Sequence, residues 1–356
     1  MPFFSLNGKK ISIEELKSFS GLENSEFEKS TLSFCKAWVN NQQEFSIHTS
    51  GSTGKPKEII LQRKAMEVSA QATIRALQLK PGDTALVCLD TKYIAGQMML
   101  VRSLINGMNI VATEPSGNPL KNIDEQIEFA ALVPYQLEKI LNDNPQNLNR
   151  IRCAIIGGAP INFASQEKIK QSKCSIYATY GMTETISHIA LQKLNGEGVQ
   201  EYFEAVENIA LRLDARGCLC ISTNYLTNEV ITNDLVELID GKKFKWLGRI
   251  DHVINSGGVK VIPEKIESVI EHILDSLQIK KRFFVTGLPD NQLGEKVVCC
   301  LEESELQPEL LKKIKDLCQA QLSKNEIPRE FKFIPKFIET STNKINRKET
   351  IFQSGY

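Results

Sequence analysis

The sequence has no long hydrophobic run and no excess of charge of either sign. No apolar stretch reaches the roughly 18 residues that a membrane-spanning helix needs, and the N-terminus lacks the basic segment and apolar run of a signal peptide. With 43 basic and 43 acidic residues, the chain has no electrostatic footprint for nucleic acid or an anionic membrane. We therefore expect a cytoplasmic protein whose partners are small molecules.

Paired cysteine motifs are also absent. The nine cysteines are scattered, with no CxxC pair and no histidine at the spacing of zinc ligands, so the sequence predicts neither a zinc site nor a disulfide framework. Most of them lie in apolar runs such as 86–89 and 297–300, where a reduced thiol behaves as a small hydrophobic side chain. A reducing compartment fits this usage.

The remaining composition, 42% hydrophobic and 24% charged, is that of an ordinary globular protein. A chain of 356 residues exceeds the size at which a single core usually stops growing, so two or more domains are expected.

The order of the predicted elements indicates an α/β fold. A hairpin is predicted around Asn7-Gly8, and apolar strands alternate with amphipathic helices after it, which is typical of a parallel sheet. Residues 211–247 change to short alternating strands, which predicts a β-rich subdomain. From residue 253 the pattern strand, helix, strand, strand, helix, strand predicts a compact α+β domain. The predicted helices are 13–19, 27–40, 64–79 and one opening at Pro263; the predicted strands are 85–89, 109–113, 152–156, 282–286, 296–301 and 330–334.

The segment from Thr49 to Lys57, TSGSTGKPK, has the composition of a loop that wraps phosphates. Glycines let backbone N–H groups converge on an anion, hydroxyls add donors, and lysines add charge. It is not a Walker A loop, because only two residues separate Gly51 from Gly54 and Pro56 stands where a magnesium-binding hydroxyl would be. A polar loop without a ligand has the same composition, so other segments must decide.

Four further segments, in order, make the chain resemble the adenylate-forming enzymes, which include acyl-CoA synthetases and adenylation domains. They are Gly157-Gly158-Ala159-Pro160, the YGMTE segment from Tyr180 to Glu184, Thr232-Asn233-Asp234, and a hinge sequence that begins at Gly248-Arg249-Ile250-Asp251 and runs to Gly258. The resemblance implies an N-terminal AMP-binding domain over 1–247, a hinge over 248–252 and a mobile C-terminal domain over 253–356.

The resemblance also implies roles for individual residues. Glu184, with Thr183, would hold Mg²⁺, since this cation takes one or two carboxylates together with phosphate oxygens and water. Tyr180 would stack on adenine, Asp234 would accept the ribose hydroxyls, and Arg249 would donate to the ribose. The implied ATP-binding set is Thr49, Ser50, Gly51, Ser52, Thr53, Gly54, Lys57, Gly157, Gly158, Ala159, Pro160, Tyr180, Gly181, Thr183, Asp234 and Arg249.

Three residues would be catalytic by the same resemblance: Lys344, Thr49 and Lys57. A carboxylate and a triphosphate repel, so cations must neutralise the charge that develops at the α-phosphorus. The C-terminal domain would then rotate about Asp251 and bring Gly257 and Gly258 to line a tunnel for the thiol of coenzyme A. The implied cofactors are thus ATP, Mg²⁺ and coenzyme A as a substrate.

The acid is indicated by residues 93–104, which look like the corresponding segment of o-succinylbenzoate-CoA ligases of menaquinone biosynthesis. This resemblance places Tyr93, Gly96 and Arg102 at the acyl substrate, with the guanidinium suited to a second carboxylate. A core tyrosine at 93 and a helix-capping or salt-bridging arginine at 102 are the structural alternatives.

Two functional alternatives remain open. One is an aryl or fatty acid adenylating enzyme that loads a carrier-protein thiol. The other is a nonhydrolytic nucleotide-binding sensor, which is suggested by asparagines at 233 and 343 where the family usually has glycine and by the short region before residue 49. The oligomeric state is open as well, a homo-oligomer included.

Overall fold

The computed structural model describes residues 2–17, 24–49, 57–340 and 345–355, without the side chains of His48, Thr49 and Lys57. The predicted phosphate-binding residues 50–54 and the predicted catalytic Lys344 lie outside the described residues.

The described strands and helices follow one another in the α/β order that the sequence predicts. The strands are β1 Phe3–Leu6, β2 Lys9–Ser12, β3 Glu44–Thr49, β4 Lys57–Gln62, β5 Thr84–Val87, β6 Asn109–Ala112, β7 Ile127–Leu132, β8 Ile151–Ile156, β9 Ser175–Gly181, β10 His188–Lys193, β11 Phe203–Ala205, β12 Ile209–Leu213, β13 Cys218–Thr223, β14 Val230–Leu238, β15 Lys243–Arg249, β16 Ile254–Ser256, β17 Val259–Val261, β18 Phe283–Asp290, β19 Gly294–Glu302 and β20 Glu330–Ile334. The helices are α1 Glu26–Val39, α2 Arg63–Ala76, α3 Ile94–Ile105, α4 Pro134–Asp143, α5 Phe163–Ile169, α6 Pro263–Ser276, α7 Pro308–Gln321 and α8 Arg347–Gln353.

Thirteen of the described strands form one sheet in the order β12-β13-β14-β15-β11-β10-β9-β8-β7-β5-β6-β1-β2. The segment from β9 to β1 is parallel, which confirms the predicted parallel α/β region. Its strands are apolar on both faces: Ala85 and Val87 pack in one core, while Leu86 packs in the other. The predicted β-rich segment, β12 to β15, is antiparallel and continues this same sheet.

The N-terminal elements agree with the sequence in part. Asn7 and Gly8 have φ values of 47° and 84° at the tip of the β1–β2 hairpin, as a primed turn requires. The predicted helix 13–19 is wrong over its described residues. Ser12 and Glu15 satisfy each other's backbone N–H groups, and only a short 3₁₀ turn, Glu15–Lys17, follows.

The C-terminal part has its own sheet and cores. The strand order is β17-β16-β19-β18, and β20 pairs with β19 in parallel. In α6, Pro263 occupies the first turn, and Ile266, Ile270 and Ile273 are buried against the sheet, as the sequence spacing predicts. Among the described residues, no helix has the length and apolar character needed to cross a membrane.

Candidate functional site

The phosphate loop is carried by a separate two-stranded sheet. Strands β3 and β4 pair along their whole length, and Thr49 stands opposite Lys57 at the end of the ladder. The backbone thus brings the two ends of the predicted loop together. Because their side chains and residues 50–54 lie outside what the structure describes, the assignment of this loop stays a prediction.

Strands β14 and β15 build an acidic recess around Asp234. The side chain of Asp234 is almost buried and accepts hydrogen bonds from Tyr180 Oη at 2.6 Å and from Trp246 Nε1 at 3.2 Å. Burial and then the charge of Asp234 raise the pKa of Tyr180, so its hydroxyl stays a donor. Tyr180 also packs edge-on against Phe244, with ring centroids 5.1 Å apart. The two donors fix both oxygens of the carboxylate that is predicted to bind ribose.

The asparagine at 233 is accommodated without disturbing this recess. Residue 233 lies in strand β14 and not in a free turn, and its side-chain oxygen accepts a hydrogen bond from Arg216 Nη1 at 3.1 Å. Arg216 also donates to the carbonyl of Thr232. A strand residue needs no positive φ, so the replacement of the family's glycine carries no backbone penalty here.

Arg249 lies directly across the ladder from Asp234 and connects it to the predicted hinge. Its guanidinium donates to both oxygens of Asp251, at 2.9 and 3.0 Å, and lies 3.7 Å from Asp234 Oδ1. The hydrogen bonds to Asp251 raise the pKa of Arg249. Partial burial opposes ionisation of Asp251, but the bonds from Arg249 outweigh it and lower the pKa of Asp251. The carboxylate predicted to bind ribose and the carboxylate predicted at the hinge therefore share one cation.

Two glycine-dependent turns stand at the carboxyl ends of parallel strands. A Cβ on Gly157, after β8, would lie 2.5 Å from Thr179 Oγ1, and Gly158 has a φ of 94°. A Cβ on Gly181, at the end of β9, would lie 2.4 Å from the Cα of His188. Both turns approach neighbouring backbone or side chains too closely for a larger residue, which is a physical reason for glycine at these positions.

The turn after Gly181 presents the predicted magnesium ligands. Thr183 opens a short 3₁₀ turn, and the neighbouring Glu184 is exposed. No cluster of three or more potential metal-ligating side chains occurs in the described part of the chain. One exposed carboxylate beside a hydroxyl nevertheless fits Mg²⁺, because this ion takes most of its ligands from phosphates and water when it is bound with a nucleotide.

A recess of about 230 Å³ lies at the carboxyl edge of β5, β7, β8 and β9. Its walls are mainly apolar, and they include Leu132, Ile155 and Met182. Gly157, Gly158, Gly181 and Thr183 also line it, so the glycine turns and the recess share one wall. Carboxyl edges of parallel sheets are the usual place for ligand binding in α/β folds. We call this recess the acyl cavity, after the acid that Arg102 is predicted to bind.

Arg102 brings a positive charge to this cavity. It is 1% exposed, its Nη2 donates to Ser187 Oγ at 2.6 Å, and its Nε has no hydrogen-bond partner in the described structure. Burial lowers the pKa of Arg102 to about 9, which leaves it charged at neutral pH. Among the described residues, no carboxylate forms an ion pair with it. A buried, unpaired guanidinium is costly and is suited to an anionic ligand.

The other two predicted acyl residues have different environments. Tyr93 is 49% exposed and lines a separate groove between α1 and β3, so it is not a core tyrosine, and it is not among the residues that line the acyl cavity. A Cβ on Gly96 would lie 2.6 Å from the carbonyl oxygen of Asp90, so this glycine allows α3 to pack against the preceding loop. Of the three, only Arg102 reaches the cavity in this arrangement.

The C-terminal part packs against the end of β15, next to Arg249, which is predicted to bind ribose. A Cβ on Gly248 would lie 2.4 Å from Glu264 Oε2, and the rings of Phe163 and His272 are 3.9 Å apart between centroids. Gly257 and Gly258 form the tip of the β16–β17 turn with positive φ values and do not line the acyl cavity here. Their predicted role as a thiol tunnel stays a prediction.

Sequence reasoning missed four residues that the structure brings to the site: Ser187, His188, Thr179 and Trp246. Ser187 and His188 follow the YGMTE segment closely, and this nearness to a recognised motif was the available signal. Trp246 lies three residues before Arg249 in β15 and is one of only two tryptophans in the chain.

The recess around Asp234 and the cavity with Arg102 are the two places that the resemblance to adenylate-forming enzymes assigns to ribose and to the acid. A family model described as AMP-binding enzyme matches residues 11–208, which is more than half of the chain. The chain belongs to this family, and the predicted fold class and family are confirmed.

Comparison with individual proteins agrees with this family. The chain is 27% identical to a 2-succinylbenzoate–CoA ligase from Listeria innocua, over 94% of this chain and 75% of the relative. It is 39% identical to a crystal structure from Dyadobacter fermentans described as an acyl-CoA synthetase (AMP-forming)/AMP-acid ligase II-like protein, with a TM-score of 0.64, over 95% of this chain and 97% of that one. The fold also matches o-succinylbenzoate CoA synthetase from Bacillus subtilis in complex with its acyl-adenylate intermediate, at 20% identity and a TM-score of 0.73, over 85% of this chain and 68% of that one.

Proposed function

We propose that this protein is an ATP-dependent, AMP-forming acid–CoA ligase and that its acid is o-succinylbenzoate. The observation that carries the proposal is Arg102, a buried cation with no acidic partner among the described residues, in a mainly apolar cavity that adjoins the nucleotide motifs. An aryl dicarboxylic acid supplies what the cavity lacks: one carboxylate to pair with the guanidinium, an apolar body, and a second carboxylate to react.

The first half-reaction joins the acid to AMP. An oxygen of the reacting carboxylate forms a bond to the α-phosphorus of ATP, and the bond from that phosphorus to pyrophosphate breaks. Asp234 would hold the ribose hydroxyls, with its carboxylate already oriented by Tyr180 and Trp246. Mg²⁺ held by Glu184 and Thr183 would neutralise phosphate charge. Lys344, Thr49 and Lys57 would stabilise the charge on the transferring group.

The second half-reaction transfers the acyl group to coenzyme A. The thiol sulfur forms a bond to the acyl carbon, the bond from that carbon to the AMP oxygen breaks, and the thiol proton is lost to solvent. We propose that 253–356 rotates about Asp251 between the two half-reactions and brings Gly257 and Gly258 toward the acyl cavity. In the arrangement described here, Arg249 pairs with Asp251, so this ion pair lies at the point of rotation.

The test is pyrophosphate release from Mg-ATP with and without o-succinylbenzoate, followed by identification of the product after coenzyme A is added. We expect release that depends on the acid and a coenzyme A thioester as product. Lys344→Ala is the control, and we expect it to lower the rate of adenylation by about 10²–10³-fold, as is typical for loss of one preorganised donor.

Other outcomes separate the alternatives. Acid-dependent release without a coenzyme A thioester, but with acylation of a carrier-protein thiol, would support the carrier-loading enzyme. ATP binding with no pyrophosphate release for any carboxylic acid would contradict the ligase and support the sensor.

A further inference from the structure

His188 is a polar group in the acyl cavity with no role in the mechanism above. It opens strand β10, is 7% exposed and lines the cavity next to Ser187. Its Nε2 lies 2.9 Å from the hydroxyl oxygen of Thr73, which is fully buried in α2. No hydrogen-bond partner for its second ring nitrogen, Nδ1, is found in the described part of the chain.

The imidazole is neutral in this position. Burial, and then the nearby charge of Arg102, hold the pKa of His188 well below its usual range. No acidic side chain of the described residues lines the cavity to offset a second cation. The cavity therefore presents one positive charge, on Arg102, and one neutral polar ring.

The backbone fixes the ring beside Arg102. Strand β9 approaches so closely that a Cβ on Gly181 would lie 2.4 Å from the Cα of His188. The preceding turn holds Ile186 at a φ of 69°, a conformation that is costly for a β-branched residue. Thr185 stabilises this turn through a hydrogen bond from its hydroxyl to the carbonyl of Ser187 at 2.8 Å. Backbone strain of this kind is found mostly at functional sites. The strained turn at Ile186 therefore indicates that residues 187–188 are held in position for a ligand.

Thr73 determines what Nδ1 can do. Its hydroxyl lies 3.3 Å from the carbonyl oxygen of Ser69 and 2.9 Å from Nε2 of His188, and its one proton can go to either acceptor. When the proton goes to Nε2, the single proton of the neutral ring lies on Nδ1. A carboxylate at Nδ1 favours this arrangement, because it needs a donor there. In that arrangement Nδ1–H is a donor with no hydrogen-bond partner among the described residues, and it lies in the same cavity as Arg102, whose Nε also lacks one there.

We infer that His188, oriented by Thr73, is a specificity-determining residue that donates a hydrogen bond to the distal carboxylate of the acid beside Arg102. This inference rests on the proposed function. Arg102 supplies the charge, and His188 supplies a neutral donor, so the pair matches a group with one negative charge and two acceptor oxygens.

The experiment compares two acids in acid-dependent pyrophosphate release: o-succinylbenzoate and 4-oxo-4-phenylbutanoate, which lacks the ring carboxylate. For His188→Leu, we expect KM for o-succinylbenzoate to rise about tenfold, with kcat changed less than twofold and KM for ATP unchanged. KM for 4-oxo-4-phenylbutanoate should stay within twofold of wild type. His188→Gln keeps an N–H donor and should recover most of the affinity.

Thr73 provides the matched pair for the positioning step. Thr73→Val should raise KM for o-succinylbenzoate in the same direction, and Thr73→Ser, which keeps the hydroxyl, should restore it. Thermal unfolding of each variant checks that the fold is intact.

An equal rise in KM for both acids, or no rise for either, while the wild type turns over o-succinylbenzoate, would overturn the inference alone. If the wild type released pyrophosphate with neither acid, the proposed substrate would fail and the inference would fall with it.

Discussion

Asp234 receives its orientation from two side chains on different strands, Tyr180 and Trp246. Removing one donor leaves the carboxylate with more freedom and one unsatisfied oxygen. We expect Trp246→Phe to raise KM for ATP about fivefold to tenfold, which corresponds to a typical net hydrogen bond of about 1 kcal/mol. Steady-state kinetics with varied ATP measures this change.

The other tryptophan offers the matched control. Trp38 packs in the core against Phe34 and Phe45. Trp38→Phe should affect thermal stability more than KM for ATP, and it leaves Trp246 as the single fluorophore for following nucleotide binding. A KM for ATP that is unchanged in Trp246→Phe would contradict the role given to this indole.

His188 also makes a prediction about pH. Its pKa is depressed in the folded protein by burial and by Arg102, so below about 6.5 the unfolded chain binds a proton at this position that the folded chain does not. Stability from this group is therefore present above that pH and is lost as the pH falls, by up to about 1.4 kcal/mol per pH unit. Thermal unfolding of the wild type should weaken more between pH 7.5 and 5.5 than that of His188→Gln. Equal losses would contradict the neutral, buried imidazole.

From the sequence, Arg102 had two interpretations, a ligand for the acid or a helix-capping or salt-bridging residue. Its burial without a carboxylate partner among the described residues supports our proposal of the first, and these surroundings could not be predicted from the sequence. Thr73 and His188 could not be paired from the sequence, since they are 115 positions apart and belong to different elements. Contacts of this kind depend on how the sheet brings distant strands and helices together, and no local pattern encodes them.

At the scale of elements, the contact between β15 and α6 depends on a glycine. Gly248 has a φ of 153°, and a Cβ there would lie 2.4 Å from Glu264 Oε2 and 2.7 Å from Ile262 Cγ2. We expect Gly248→Ala to destabilise the protein by about 1–3 kcal/mol, as overpacking usually does. Denaturant unfolding measures the change, and proteolysis near the hinge should become faster. Gly241→Ala, where nothing lies within 4 Å, is the control and should be neutral.

Elements with a complete local signal could be predicted closely from the sequence. β20 has the predicted bounds, and α6 begins at the proline that marks its first turn. The helix predicted at 13–19 failed because a capping-type pair between Ser12 and Glu15 can close a single turn as well as start a helix. The sequence also did not predict that the β-rich segment continues the parallel sheet, because strand order is set by long-range pairing.

At the scale of the whole molecule, all nine cysteines are buried and unpaired. Burial raises the pKa of Cys35 and of Cys88 to about 12, so few thiolates form near neutral pH. We expect a thiol reagent such as Ellman's reagent at pH 8 to modify less than one thiol quickly in the native protein and nine after unfolding in guanidinium. Rapid modification of several native thiols would contradict this packing.

The central claim is that Arg102 recognises the second carboxylate of the acid, and the most direct test is a comparison of substrates. The measurement is kcat/KM of wild type and Arg102→Met with o-succinylbenzoate and with 4-oxo-4-phenylbutanoate. The wild type should prefer o-succinylbenzoate by a factor on the order of 10³, because the second acid would leave the guanidinium unpaired, and Arg102→Met should lose most of this preference. A preference that survives the substitution would contradict the account.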